Sequence, residues 1–271
     1  MTRWPGRLIL VGAGKMGGAM ALGWLEGGLA PSSLTILEPN PSEGIMALAD
    51  SRGVALNPRK PAPPDVLVLA VKPQSLDGAA PKIAALANRQ ALILSIVAGK
   101  TIANLKARLP EASAVVRAMP NTPAAIGRGV TAAFANPDVT AEQRRWGERL
   151  FGVLGAFHWL DDEAAIDAVT AISGSGPAYV FAFTEALAAA AEKLGLPAEL
   201  AMSLARGTVE GAGELMRRES ATSPAILRRN VTSPGGTTAA ALAVLQGDGG
   251  LDGLIERATA AAHARAAEMA G

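Results

Sequence analysis

The chain has 271 residues, with 25 Lys and Arg against 24 Asp and Glu and a formal net charge of +1. No block of like charge stands out, which argues against nucleic-acid or acidic-surface partners, since these need concentrated basic patches. There is no Cys, so disulfides, thiolate nucleophiles and Cys-ligated metals are excluded, and the two histidines, His158 and His263, lie far apart without metal-type spacing.

This length suits two ordinary domains with ample material for a core. The apolar run in "MTRWPGRLILVGAG" is too short for a signal h-region and is broken by glycines, so it reads as a buried strand. Further strands are expected over 34–37, 66–70, 91–96, 114–117, 130–135 and 156–160, after the first at 8–11. Segments of helical period lie between most of them, among them 16–26, 75–86 and 102–109. "VLVLAV" and "ALILSIVAG" are continuous apolar runs, as expected where helices cover both faces of a parallel sheet. Residues 1–162 therefore read as a doubly wound, Rossmann-type α/β domain.

From residue 163 to 271 the strand-like runs vanish, and Ala- and Leu-rich helices are expected over 177–194, 197–218, 224–230, 237–247 and 251–269. Two of them start with Pro in the first turn, and "EKLGLP" is a helix stop followed by a new start. The stretch "PAYVFAFTEALAAAAEKLGL" is interrupted by Glu185 and Glu192, which suits a packed helix better than a membrane span. A soluble, cytoplasmic protein is expected. An all-α domain so rich in small apolar residues is either a self-contained bundle or a dimerisation domain, and dimerisation is the expectation.

Chemistry enters at "LILVGAGKMGGAM", where Gly12, Gly14 and Gly17 form G-x-G-x-x-G directly after a strand and before a helix. Gly12 permits the tight turn, Gly14 lets a pyrophosphate approach the backbone, and Gly17 lets the helix pack close to the strand. Glu38 ends the second strand, where an acidic residue accepts from an adenosine ribose 2'-hydroxyl; a solvated strand end is the alternative. Asn40 could face the same ribose, or a 2'-phosphate, and Arg52, Arg59 and Lys60 follow further on, so the choice between NAD and NADP stays open. Lys72 in "LAVKPQS" stands at the cofactor crevice or is an exposed loop lysine. Val97 and Ala98 in "SIVAG" are placed to run beneath a nicotinamide.

Three later motifs add to this. In "RAMPNTPAAIG", Asn121 and Thr122 either shape the crevice or form a structural turn between prolines. In "SGSGPAY", Ser175 precedes a helix start and is a helix cap or part of a polar site. "VTSPGGTTAA" brings Ser233, Gly235, Gly236, Thr237 and Thr238 to another helix start, where consecutive amides and the helix dipole bind an anion without a formal charge. A Thr there also serves as a cap, but two preceding glycines favour a functional loop.

Taken together and in order, "GAGKMG", "AVKPQ", "SIVAGKT", "RAMPNTPA", "SGSGPAY" and "NVTSPGGTT" resemble the Δ1-pyrroline-5-carboxylate reductases, from about Leu8 to near the C-terminus. The resemblance implies a Rossmann domain and a helical domain interlocked with that of a second subunit, with dimers often assembling into a ring. It also implies hydride transfer from NAD(P)H to the C=N carbon of pyrroline-5-carboxylate, giving L-proline in the last step of proline biosynthesis. By the same resemblance the cofactor meets Val11, Gly12, Ala13, Gly14, Lys15 and Met16, the Glu38-Pro39-Asn40 loop, Ala70, Val71, Lys72 and Pro73, and Ile96, Val97 and Ala98, with Asn230 approaching from the helical domain. Substrate is expected at Ser233, Gly235, Gly236, Thr237 and Thr238, in a pocket completed by the partner subunit. Thr238 is the expected catalytic residue, hydrogen-bonded at the ring nitrogen. Where many members place a polar residue after the third strand, this chain reads "ALNPRKPAPPD", leaving Asn57, Arg59 and Lys60 as candidates.

Two rivals are weighed. A β-hydroxyacid dehydrogenase generally places a Lys on the helix after the interdomain glycine segment, and here Lys193 stands only at that helix's far end. A non-catalytic NAD(P)-binding regulator would not need the second glycine loop.

Overall fold

The apolar runs at the start of the chain become the middle of an eight-stranded sheet in the order β3-β2-β1-β4-β5-β6-β7-β8. Its strands are β1 (Leu8–Val11), β2 (Leu34–Leu37), β3 (Ala55–Leu56), β4 (Val66–Leu69), β5 (Leu92–Ser95), β6 (Val115–Met119), β7 (Gly129–Ala135) and β8 (Gly155–Trp159). All neighbours are parallel except the antiparallel pair β6 and β7. This is a computed structural model, and residues 3–270 are described.

Alternation explains why the central strands are apolar throughout. Leu8, Leu10, Val66, Val68, Leu92 and Leu94 enter one core with Met20, Trp24 and Phe151, while Ile9, Val11, Leu67, Leu69 and Ile93 enter a second core with Leu76, Ile83, Ile102 and Leu105. Each such side chain contributes about 1.5–3 kcal/mol by leaving water. The covering helices are α1 (Lys15–Glu26), α2 (Glu43–Arg52), α3 (Leu76–Ala84), α4 (Ile102–Arg108) and α5 (Ala141–Gly152). Ser42 caps α2 by accepting from the Ile45 amide, and Thr101 with Asn104 and Thr140 with Gln143 form capping boxes on α4 and α5.

A short helix, α6 (Ala165–Val169), packs with the sheet unit. Its neighbourhood is tied to β6 by Arg117, whose buried guanidinium lies 3.4 Å from Glu163 and 3.2 Å from Asp167. Glu163 also accepts from the Ile102 amide at the start of α4, at 2.7 Å. One compact unit therefore runs to Gly174 and includes the residues from Ala262 onward; the other is Ser175–Ala261. Composition changes after residue 162, but these ion pairs keep the next residues on the sheet.

The second unit is helical, with α7 (Gly176–Lys193), α8 (Ala198–Arg218), α9 (Pro224–Asn230), α10 (Thr237–Leu245) and most of α11 (Leu251–Ala270). α7 and α8 pack together through small residues, with Ala188, Ala201 and Ala205 buried. Large apolar side chains stay exposed on these helices, including Phe181 at 63%, Val244 at 77% and Leu254 at 54%. So many large exposed apolar groups do not fit a self-contained bundle and mark an association surface. Among the described residues no helix is long and apolar enough to cross a membrane.

Removing Arg117 leaves two carboxylates facing each other in a largely dry site. Arg117→Ala is expected to destabilise the sheet unit by about 3 kcal/mol, measured by chemical denaturation.

Candidate active site

The sheet order reverses at β1, whose neighbours β2 and β4 run to opposite edges, so a crevice opens beyond the carboxyl ends of these strands. The chain turns there at Gly12, with φ +93°, and the Gly12 amide donates to the Leu37 carbonyl at 2.9 Å. A Cβ at Gly12 would lie 2.6 Å from the Ala70 carbonyl oxygen and 2.9 Å from the Val71 nitrogen. Gly17 lies against the Gly12 carbonyl in the same way, bringing α1 down onto the turn. Gly14, the N-cap of α1, has open space where a side chain would be. No side chain caps α1 and no acidic residue stands in its first turn, so its leading amides and positive dipole end are available to an anion.

The crevice is a groove of about 1640 Å³. Val11, Gly12, Ala13, Gly14, Lys15, Glu38, Asn40, Ala70, Val71 and Lys72 line it. Met16 and Pro73 are not in its lining: Met16 packs against the core, and Pro73 opens a short 3-10 turn, Pro73–Ser75. Ile96, Val97 and Ala98 follow β5 outside the lining, and the Val97 side chain is buried in the core, so that position offers a ligand only main chain. Asn230 is the exposed last residue of α9 and belongs to the second unit.

Of the three candidates after the third strand, Asn57 and Arg59 line the groove and Lys60 does not. Asn57 adopts a left-handed conformation, φ +50°, which Asn tolerates better than most residues. Lys82 of α3 and Ser42, Gly44, Ile45 and Ser51 in and before α2 also form walls. These wall residues carry no motif of their own; the one sequence signal for the α2 wall is the cap Ser42, which announces a helix beside the Glu38 loop. The groove thus presents Lys15, Arg59, Lys72 and Lys82 against Glu38.

"RAMPNTPAAIG" is structural at Asn121, which is buried, accepts from the Val130 amide at 2.8 Å and donates to the Ser173 carbonyl at 3.0 Å. Thr122 is exposed at the start of a 3-10 turn, Thr122–Ile126. Ser175 makes no side-chain cap, which corrects that alternative: it sits in helical conformation after a π-helical turn, Thr170–Gly174, whose Gly174 lies against Met119.

The second glycine loop is a tight turn. Pro234 and Gly235 occupy its centre, Gly235 has φ +70°, and the Gly236 amide donates to the Ser233 carbonyl at 3.0 Å. This is the Pro-Gly pattern of a type II turn. Gly236 is the N-cap of α10, so Thr237 and Thr238 lie inside the helix and neither caps it. Thr237 is exposed and Thr238 half-buried, and no acidic residue stands in the first turn. The clearly displaced ionisations lie elsewhere, in surface pairs: Arg217 and Arg218 bring the Glu214 carboxyl to about 2, and Arg108 lowers that of Asp77.

A Rossmann-type sheet with an uncapped glycine turn at its switch point, joined to a helical association unit, defines an NAD(P)-dependent oxidoreductase. Comparison with known proteins narrows this. Residues 163–269 match the pyrroline-5-carboxylate reductase dimerisation family, and residues 7–99 match the family described as NADP oxidoreductase coenzyme F420-dependent. The pyrroline-5-carboxylate reductase of Pseudomonas aeruginosa is 40% identical over 266 residues, covering 97% of each chain, and that of Synechocystis is 44% identical over 205 residues, covering 76% of this chain and 75% of the other. The structure of a pyrroline-5-carboxylate reductase from Coxiella burnetii superposes with a TM-score of 0.89 at 34% identity, covering 98% of this chain and 99% of that one. That of Plasmodium falciparum pyrroline carboxylate reductase with NADP bound gives 0.82 at 29% identity, covering 98% of each. The chain belongs to the pyrroline-5-carboxylate reductase family.

Gly12→Ala would push a methyl group into the Ala70 carbonyl and impose an unfavourable φ. It is expected to weaken NAD(P)H binding at least about tenfold and lower stability by about 1–3 kcal/mol, read by calorimetric titration and thermal melting.

Proposed function

We infer that this chain reduces Δ1-pyrroline-5-carboxylate to L-proline with NAD(P)H, the last step of proline biosynthesis. The carrying observation is the 40% identity to a pyrroline-5-carboxylate reductase over 97% of both chains, which spans both domains.

The chemistry asks little of the side chains. Reduced nicotinamide, when bound, supplies a hydride for the C=N carbon, and the ring nitrogen ends with a proton as the π bond is replaced by C–H and N–H. An iminium accepts hydride more readily than a carbonyl, so the main tasks of this chain are binding, orientation and exclusion of water. In this reading the start of α1, from Val11 to Met16, holds the pyrophosphate, with the Glu38–Asn40 loop at the adenosine ribose and Ala70–Pro73 along the crevice. Ile96, Val97 and Ala98 support the nicotinamide through main chain, and Asn230 adds a cofactor contact. The open glycine at the start of α1 supports the first assignment, since it leaves room for a phosphate against backbone amides.

Ser233, Gly235, Gly236 and Thr237 hold the substrate carboxylate on the uncapped amides of α10. Thr238 hydrogen-bonds the ring nitrogen; its freedom from capping supports this role. The helical unit forms the homodimer, and the exposed apolar side chains supply its surface. Dimers assemble further into a ring, and the working compartment is the cytoplasm.

Absorbance loss of NADH or NADPH that depends on pyrroline-5-carboxylate, with proline as product, tests the activity; no proline with either cofactor overturns it. Thr238→Ala is expected to lower kcat/KM by about tenfold to a hundredfold and to leave the NAD(P)H dissociation constant within about twofold. Unchanged turnover would remove Thr238 from the mechanism.

A further inference from the structure

The adenosine end of the groove carries a feature that the family assignment leaves open. Glu38 is held at four points. Its Oε2 accepts from the Ala13 amide of the first glycine turn at 2.8 Å, and its Oε1 accepts from the Asn40 amide at 3.0 Å. Its own amide donates to Asn57 Oδ1 at 2.9 Å, and its carbonyl accepts from Asn57 Nδ2 at 2.8 Å. Strand β3 is only two residues long, and the Asn57 amide donates to the Ile36 carbonyl at 2.9 Å. The Asn57 side chain thereby continues the sheet edge where the strand has stopped, and its left-handed backbone turns that side chain back onto β2's end.

We propose that Asn57 and Glu38 form a selectivity clamp that makes the groove take a dinucleotide with a free adenosine 2'-hydroxyl, NADH, in preference to its 2'-phosphorylated counterpart. This rests on the reading of the groove as the dinucleotide site. A carboxylate at the end of the second strand accepts from a ribose hydroxyl and repels a phosphate. A mobile carboxylate would escape the repulsion by swinging aside. Here it is tethered, because withdrawal would strip the buried Ala13 amide of its partner. Nor is its charge matched by an ion pair: Lys15, Arg59, Lys72 and Lys82 line the groove, yet among the described residues none lies within salt-bridge distance of Glu38. Glu38 reads the ribose, and Asn57 is a positioning residue that acts through it.

Calorimetric titration of the purified full chain with NADH and with NADPH, without imine, tests the clamp. Wild type is expected to bind NADH about tenfold more tightly than NADPH. Glu38→Gln is expected to shift the ratio of the two dissociation constants about tenfold toward NADPH, and Asn57→Ala to shift it part of the way. A role confined to stability would move the melting temperature and leave that ratio alone. Equal or tighter NADPH binding by wild type overturns the proposal, and its loss in Arg59→Ala would assign the end of the groove to a 2'-phosphate instead. An unchanged ratio in Glu38→Gln also overturns it, and equal weakening of both ligands in Asn57→Ala removes Asn57 from the clamp. Failure to bind either dinucleotide would strike the function reading itself, whereas normal binding without proline formation would leave the clamp standing.

Discussion

The approach of Gly12 to the backbone of Ala70 is the contact on which the groove depends. With 2.6 Å between a would-be Cβ and the Ala70 oxygen, no other residue lets the turn after β1 lie across the end of β4. Because β1 and β4 are neighbours in the sheet, closing this gap brings the first glycine loop beside Ala70, Val71 and Lys72. Gly17 repeats the device one helical turn later, resting α1 on the Gly12 carbonyl and keeping the helix N-terminus at the crevice. Glycine content and the strand-to-helix order are therefore causes of one geometry, a helix N-terminus with free main-chain amides at the crevice.

The helical unit has a comparable device at α10, where a Pro-Gly turn delivers the chain to a helix whose N-cap is also glycine. Neither α1 nor α10 has a side-chain cap or an acidic residue in its first turn. By contrast, α2, α4 and α5 are all capped by Ser or Thr. A cap satisfies amides that an anionic ligand would otherwise use, and at α1 and α10 the leading amides keep that capacity.

Much of this was legible in the sequence because it depends on local rules. Continuous apolar runs announced buried parallel strands, the spacing of Gly12, Gly14 and Gly17 announced the turn, and Pro and Gly marked the helix ends. Sites that depend on residues distant in sequence were not legible. Nothing in "PNTP" says that Asn121 spends its amide on Val130 and Ser173, and nothing in the composition change after residue 162 says that Arg117 holds Glu163 and Asp167 to the sheet. Val97 was correctly seen at a strand end, yet only packing turned its side chain into the core.

By itself the sequence determined the two-part architecture and the two glycine loops, since periodicity and backbone freedom act between near neighbours. The tertiary structure alone decided which carboxylate is tethered and by what. Glu38 and Asn57 are separated by a helix and a strand, and only the pairing of β2 with β3 brings an amide side chain to the Glu38 backbone. Capping by Thr237 or Thr238 is excluded more locally: the turn at Gly235 sets the N-cap at Gly236, ahead of both threonines.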